Sequence, residues 1–336
     1  MSSLVEARKV WEEVERAKAR GQASVLVEVV GVVGSAYRRP GALMMMAADG
    51  RMWGTISGGC LEGDVFIRAE GILAGRCGPI LVDYDLSEEE MWSLGIGCKG
   101  QIQVWVRRVD DEMPERALLA SGGVVTAALP SGRLMAWKPE DPLPADAGWA
   151  ARIEAAWAGA EPRVVGGTYV RAWRPAVELV IAGAGHDAIS VAELARRADF
   201  LVTVVDPRPE FNDDRRFPEC RHVVGEVSGI TAEAYPDLVG AYWVVMNHHK
   251  DRDRAAIRAA LAMHPRYLGA LGPWNRTREL LEGIDAGRQA EVRGPVGLDL
   301  SADTPDEVAV SIVGELMAHR KGRSGGSLNR ATRLHA

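Results

Sequence analysis

Apolar residues recur along the chain at two spacings, and each change of spacing marks an element. Across residues 4–20, Ala7, Val10, Trp11, Val14 and Ala17 fall at helical intervals, with Gly21 placed to stop the predicted helix. Residues 24–33 form a strong buried strand that empties into Gly34-Ser35-Ala36-Tyr37-Arg38-Arg39-Pro40-Gly41, a loop with turn-forming ends. Residues 43–47 and 52–57 flank Asp49-Gly50, which supplies the positive φ angles of a hairpin turn, and Met44, Met45 and Met46 are expected in the core. A helix over 65–74, a strand over 79–84, a short acidic helix over 87–92 and a strand over 101–109 follow. Two more strands, 124–129 and 164–173, are separated by a proline-rich stretch and a short helix.

The second half is organised around residues 177–211. Residues 178–182 are apolar and β-rich, Gly183-Ala184-Gly185 permits a tight turn with close backbone approach, and Ile189, Ala192, Leu194 and Ala195 follow at helical spacing. A second buried strand, 200–205, ends at Asp206, 23 residues beyond Gly183 and near the spacing at which a carboxylate meets a ribose hydroxyl. Ala188 stands in for the third glycine of that fingerprint, a tolerated variant. The stretch points to a nucleotide or similarly phosphorylated ligand, with a purely structural strand-helix-strand turn as the alternative. Further strands are expected at 222–225, 242–246 and 267–271, and a helix at 253–262. Thr304-Pro305-Asp306-Glu307 is a capping box that opens a last helix, which ends in His319, Arg320 and Lys321. Helices and strands alternate, so the fold class is α/β. A boundary near Pro175 divides the chain into domains 1–175 and 176–323, with a flexible basic tail at 324–336.

Composition narrows the function classes. With 336 residues the chain has room for two cores, and 47% hydrophobic and 26% charged residues describe an ordinary globular protein. A net charge of −6 gives no electrostatic reason to expect nucleic acid or an anionic membrane as partner. The charged N-terminal stretch lacks the apolar core of a signal peptide and no apolar run reaches 18 residues, so a cytoplasmic location is expected. Cys60, Cys77, Cys98 and Cys220 form no C-x-x-C pair, which argues against a zinc knuckle or disulfide framework.

Several groups are placed for chemistry. Arg38 and Arg39 follow a buried strand and suit a phosphate or the carbonyl edge of a pterin, or else pair with Asp49 or Glu62 in a solvated turn. Ser57-Gly58-Gly59-Cys60-Leu61-Glu62 leads into a helix, where free backbone N–H groups favour anions and draw a thiol toward the thiolate that binds soft metals or carries sulfur. The other reading of Cys60 is a buried packing group. Cys98 lies in a second glycine-rich setting beside Lys99. His248, at the end of a strand, could act with Asp253, unless Asp253 only caps the next helix. Arg276 could reach a phosphate from the loop after Gly272.

The segments GVVGSAYRRPGALMM, ADGRMWGTISGGCLEGDV, GIGCKGQIQVWV, LVIAGAGHDA, VVDPRPEF, NHHKDRD, YLGALG and GPVGLDLSADTPDEVAVSIVGEL together resemble the xanthine dehydrogenase accessory factor family, XdhC/CoxI. The resemblance implies an N-terminal α/β domain plus a C-terminal Rossmann-like domain with a doubly wound parallel sheet, often in a homodimer. It implies binding of molybdenum cofactor (molybdopterin) and help with its sulfuration and insertion into xanthine dehydrogenase or a related molybdenum hydroxylase, with a cysteine desulfurase as a further partner. Carried over by position, cofactor binding falls to Gly34, Ser35, Arg38, Gly41, Gly58, Gly59 and Glu62, then Gly183, Gly185, His186, Asp206, Arg208 and Asp253, and Arg39 joins them from its own place beside Arg38. Cys60, Cys98 and His248 are the candidate reactive groups, with Cys60 nearest the molybdenum of a bound cofactor. The competing expectation is an NAD(P)-dependent oxidoreductase that uses the Gly183 to Asp206 unit, with His248 as acid or base.

Overall fold

A computed structural model describes residues 4–85, 100–110, 113–119, 122–129, 132–159 and 161–327. The expected helix at 87–92 and Cys98 lie outside these residues. The chain divides into two compact units, Met1–Pro175 and Ala176–Ala336.

In the first unit, α1 (Leu4–Ala19) precedes β1 (Ser24–Gly34), β2 (Leu43–Ala47), β3 (Met52–Gly54), α2 (Glu62–Leu73), β4 (Ile80–Asp85) and β5 (Gly100–Arg108). The strands form an antiparallel sheet in the order β3-β2-β1-β5-β4. β6 (Gly123–Ala128), β7 (Leu134–Trp137), β8 (Arg163–Val165) and β9 (Thr168–Trp173) form a second antiparallel sheet, ordered β7-β6-β9-β8, and α3 (Ala147–Ala158) packs on it. Central β1 is covered on both sides, as its unbroken apolar run requires. Val25, Val27 and Val29 meet Met44, Met46 and the Val65, Ala69 and Ile72 stripe of α2. Leu26 points the other way, with Met45, into a core shared with Val10, Trp11 and Val14 of α1 and with Trp173 of β9. The three methionines are core residues, as their setting in the sequence suggests.

Alternation along β1 places Glu28 on the same face as Leu26 and Val30, and there it is buried. Its carboxylate meets Arg171 of β9 at 2.7 Å and Arg107 of β5 at 3.8 Å, and Arg107 reaches Glu115 at 2.5 Å. All four side chains are buried, so two cations and two anions balance between the two sheets. The guanidinium groups lie over indoles, Arg107 on Trp105 at 4.4 Å and Arg171 on Trp173 at 4.3 Å. Burial, then the Glu28 charge, raises the Tyr169 phenol well above its ordinary pKa and keeps it neutral.

The second unit has a parallel sheet of six strands: β10 (Val177–Ala182), β11 (Phe200–Asp206), β12 (Arg221–Val224), β13 (Tyr242–Val245), β14 (Tyr267–Ala270) and β15 (Val292–Arg293). Their order, β12-β11-β10-β13-β14-β15, reverses between β10 and β13, the switch point at which open α/β sheets bind ligands. Period-2 burial again serves two faces. Leu179, Ile181 and Val244 pack with α4 (His186–Arg197) and α8 (Pro305–Arg320), while Val180, Ala182 and Val245 pack with α5 (Lys250–Ala262). Short α6 (Trp274–Leu280) and α7 (Ala286–Gln289) lie between β14 and β15. The capping box of α8 is formed by the Thr304 side chain and the Glu307 carboxylate. Among the described residues no helix is long and apolar enough to cross a membrane.

The buried charge cluster sets a stability test. Glu28→Leu leaves two buried guanidinium groups facing one carboxylate and should cost about 3–5 kcal/mol in urea unfolding followed by tryptophan fluorescence. Arg68→Ala, at the exposed Arg68–Asp64 pair, should change stability by less than about 1 kcal/mol. Equal effects of the two substitutions would show that the buried charges do not hold the sheets together.

Candidate functional site

In the first unit, candidate groups gather at the end of β1. Gly34 pairs with Gly100, and a side chain on Gly100 would lie 2.5 Å from the Ser35 carbonyl oxygen, so Ser35 sits against the first described residue after the Cys98 segment. Gly41 N–H donates to the Val29 carbonyl at 2.8 Å and closes the loop. Within that loop Arg38 turns back to the Glu6 carboxylate of α1, neither of the acids expected from sequence. Arg39 is exposed and forms no ion pair among the described residues.

The loop before α2 departs from expectation. Four of its backbone N–H groups, read as open to an anion, are occupied by the chain's own Glu62, and that of Gly58 by the Thr55 hydroxyl at 2.9 Å. One carboxylate oxygen accepts from the Thr55 hydroxyl at 2.7 Å and from the Ile56 and Ser57 amides at 3.1 Å. The other accepts from the Ser57 hydroxyl and from the Gly59 and Leu61 amides at 3.0 and 3.1 Å. Glu62 is therefore the organiser of the loop and is not available as a cofactor ligand. Gly58 has φ +78°, and its missing side chain admits the Tyr37 ring, which lies 3.3 Å from where a Cβ would be. Gly59 and Cys60 are exposed on the outside of this turn, so Cys60 is not a packing group.

In the second unit, the glycine turn follows β10 directly. Gly183 has φ +116°, and a Cβ there would stand 2.7 Å from the Met246 carbonyl oxygen, so the turn fits closely against the exit of β13. Gly185 is the N-cap of α4 and His186 its exposed first residue. Asp206 is turned inward, with no exposed side-chain surface. It accepts from the Ala184 amide at 2.9 Å, the Arg208 amide at 3.0 Å, and Arg208 Nε and Nη2 at 2.9 Å each. Its acceptor sites are filled from within the chain, which overturns the expectation of a carboxylate ready for a ribose hydroxyl. Burial raises the Asp206 pKa, but these hydrogen bonds outweigh it and the net shift is downward.

The loop after β13 departs in a similar way. Asp253 is buried and accepts from the Asn247 amide at 2.9 Å, from Asn247 Nδ2 at 3.1 Å and from Arg276 Nη2 at 2.6 Å. Its partners are Asn247 and Arg276, not His248, and the Arg276 guanidinium is drawn onto it. The acid near His248 is Asp187 in the first turn of α4, with Oδ2 3.4 Å from His248 Nε2. His248 has φ +59°, uncommon for a residue with a side chain, and its ring lies beside Gly185. Among the described residues no three His, Cys, Asp or Glu side chains are arranged to hold a metal ion.

Sequence reading missed Asp187 and also Arg216, whose Nη2 donates to the carbonyls of Ala184 and Gly185 at 3.2 and 3.3 Å. The signal for Asp187 is its place one residue into the helix that follows the turn, whereas Arg216 stands ten residues beyond Asp206 in a charged loop with no motif of its own.

The Glu62 cage generates a pH prediction. Burial acts to raise the Glu62 pKa, and the bonds from Ser57, Thr55 and Ile56 more than offset it, bringing it from 4.5 to about 2. A depressed folded pKa contributes stability that is full above pH 4.5 and is lost as pH falls toward 2. The stability gap between wild type and Glu62→Gln should accordingly narrow over that window in urea titrations. A gap independent of pH would argue against an ionised cage.

One family match falls in each of the two units. Residues 17–85 match the XdhC and CoxI family and residues 179–316 match the XdhC Rossmann domain. The chain is 30% identical over 316 residues to a Bacillus subtilis protein described as a probable subunit of xanthine dehydrogenase, covering 89% of this chain and 93% of the relative. It is 27% identical to "Molybdenum cofactor insertion chaperone PaoD" of Escherichia coli, over 89% of this chain and 84% of that protein. A crystal structure described as a xanthine dehydrogenase from Bacillus halodurans matches with a TM-score of 0.76 at 27% identity, over 96% of this chain and 97% of the other. With a Rossmann-like sheet in the second unit and these similarities along nearly its whole length, the chain belongs to the XdhC and CoxI family.

Proposed function

We propose that the protein is an accessory factor that binds molybdenum cofactor and assists its sulfuration and its insertion into xanthine dehydrogenase or a related molybdenum hydroxylase. The observation that carries this reading is Cys60, an exposed thiol on a turn fixed from behind by the six hydrogen bonds to Glu62. A thiol is a soft donor suited to molybdenum or to a transferable sulfur. With no three-residue metal cluster among the described residues, the donor set fits a cofactor that brings its own metal better than a bare ion. The name of the Escherichia coli relative, an insertion chaperone for this cofactor, supports the same direction.

When bound, the cofactor supplies the molybdenum centre of the target enzyme. This chain contributes an anchoring thiol at Cys60 and an exposed guanidinium at Arg39 for an anionic or carbonyl edge. The loop amides of Gly58 and Gly59 contribute rigidity, since the Thr55 hydroxyl holds the first and Glu62 the second. Sulfuration would draw on a cysteine desulfurase as sulfur donor, and a homodimer is the expected assembly. The alternative, an NAD(P)-dependent oxidoreductase, loses its main support because Asp206 is enclosed and offers no acceptor to a ribose.

The protein should be purified from a host that makes the cofactor, and its molybdenum and pterin content measured. Wild type should carry both. Cys60→Ala should carry about tenfold less, in line with the 10–100-fold loss of affinity that follows removal of a group near a metal. Absence of molybdenum from wild type, or equal loading of the variant, would end this reading.

A further inference from the structure

Arg216 is half-buried at the glycine turn and forms no ion pair with a carboxylate among the described residues, whereas its neighbours Arg208 and Arg215 pair with Asp206 and Asp213. Only carbonyl oxygens and rings hold it: Ala184 and Gly185 accept its Nη2, and its guanidinium lies 4.8 Å from Phe211 and 5.8 Å from Phe217. Arg208 lies 4.0 Å from the same Phe211 ring. A half-buried cation with no counter-ion is costly, and an anion relieves that cost. Asp206 neutralises Arg208 alone, through Nε and Nη2. Glu210 is near enough to affect Arg208 but makes no ion pair with either arginine, and Asp187 is directed to His248.

The location gives the anion's chemistry. In this sheet order the end of β11 is where the ribose of a bound dinucleotide falls, and there an arginine accepts a phosphate where an acid would accept a diol. We propose that Arg216 and Arg208 form a phosphate-monoester subsite, so that the second unit takes ligands bearing such a group and discriminates against a bare ribose. Arg216 supplies the charge that no carboxylate of the chain neutralises, and Arg208, already bonded to Asp206 through Nε and Nη2, supplies its remaining N–H donors to a monoester. A nucleotide 2′-phosphate and the phosphate of a phosphorylated pterin share this chemistry.

NADPH and NADH differ by one phosphate monoester and serve as probes, titrated by nicotinamide fluorescence at constant ionic strength. Wild type should bind NADPH about tenfold or more tighter than NADH, the worth of one charge-assisted hydrogen bond. Arg216→Gln should bring the two affinities together, and Arg216→Lys should keep part of the difference. Equal affinities in wild type, or tighter NADH, would overturn the proposal. If neither dinucleotide saturates, inorganic phosphate decides, since it is common to both ligand sources. It should raise the thermal midpoint of wild type and not of Arg216→Gln, and no Arg216-dependent rise would overturn the proposal. Should Arg216→Gln fail to fold by circular dichroism, Arg208→Gln and Arg216→Lys carry the same comparison. The outcome is separable from the molybdenum reading, because the Arg216-dependent phosphate effect is read on protein without cofactor, whereas the accessory role stands or falls on the molybdenum content of protein from a cofactor-competent host.

Discussion

Backbone N–H groups in irregular loops must find acceptors, and in this chain carboxylates supply them at three loops that carry candidate chemistry. Glu62 collects the amides of Ile56, Ser57, Gly59 and Leu61, Asp206 those of Ala184 and Arg208, and Asp253 that of Asn247. Each acid sits at or just past the loop it holds and draws it back onto a strand or helix of the scaffold. A reactive group is useful only when its support is rigid, and here the support is a charge-assisted hydrogen-bond cage rather than a packed core.

This arrangement changes the electrostatics a ligand would meet. Glycine-rich loops with free amides attract anions, but amides already bonded to a carboxylate present an internally neutralised surface. What remains for outside chemistry are side chains beside these loops, the Cys60 thiol, the His248 imidazole and the Arg216 guanidinium, together with the exposed Arg39 guanidinium on the loop after β1. The three inward acids position their loops, and the outward groups are left free of those bonds. An acid beside a glycine turn can belong to either class, and its hydrogen-bond partners decide which.

That distinction marks how far the sequence could be read. Burial periodicity is local, so β1, β10, α4 and α8 follow from spacing within a few residues of their expected bounds. The turn at Gly183 and the capping box at Thr304 are local as well. Beyond the β2–β3 hairpin, strand direction in the first unit was not legible, because alternating helices and strands suit parallel and antiparallel sheets alike. The Glu28, Arg107, Glu115 and Arg171 cluster joins residues from four separate elements, and only the folded sheets bring them within an ion-pair distance. Asp206 has the spacing of a ribose ligand, yet which way its carboxylate turns depends on Arg208 and on the Ala184 amide across the turn.

His248 carries the same logic to a single backbone angle. A left-handed conformation at a residue with a side chain costs on the order of 1–3 kcal/mol and persists where surroundings over-determine it. Here two constraints act on the loop. Gly183 lies so close to Met246 and Asn247 that the exit of β13 has little room to move, and Asp253 binds both the amide and the side chain of Asn247. With the preceding residue held on two sides, the chain turns at His248 and sets the imidazole beside Gly185 and Asp187. The position of this histidine over the glycine turn is therefore a product of β10 and β13 being neighbours at the switch point. Its own sequence surroundings, which suggested Asp253 as partner, could not have supplied it.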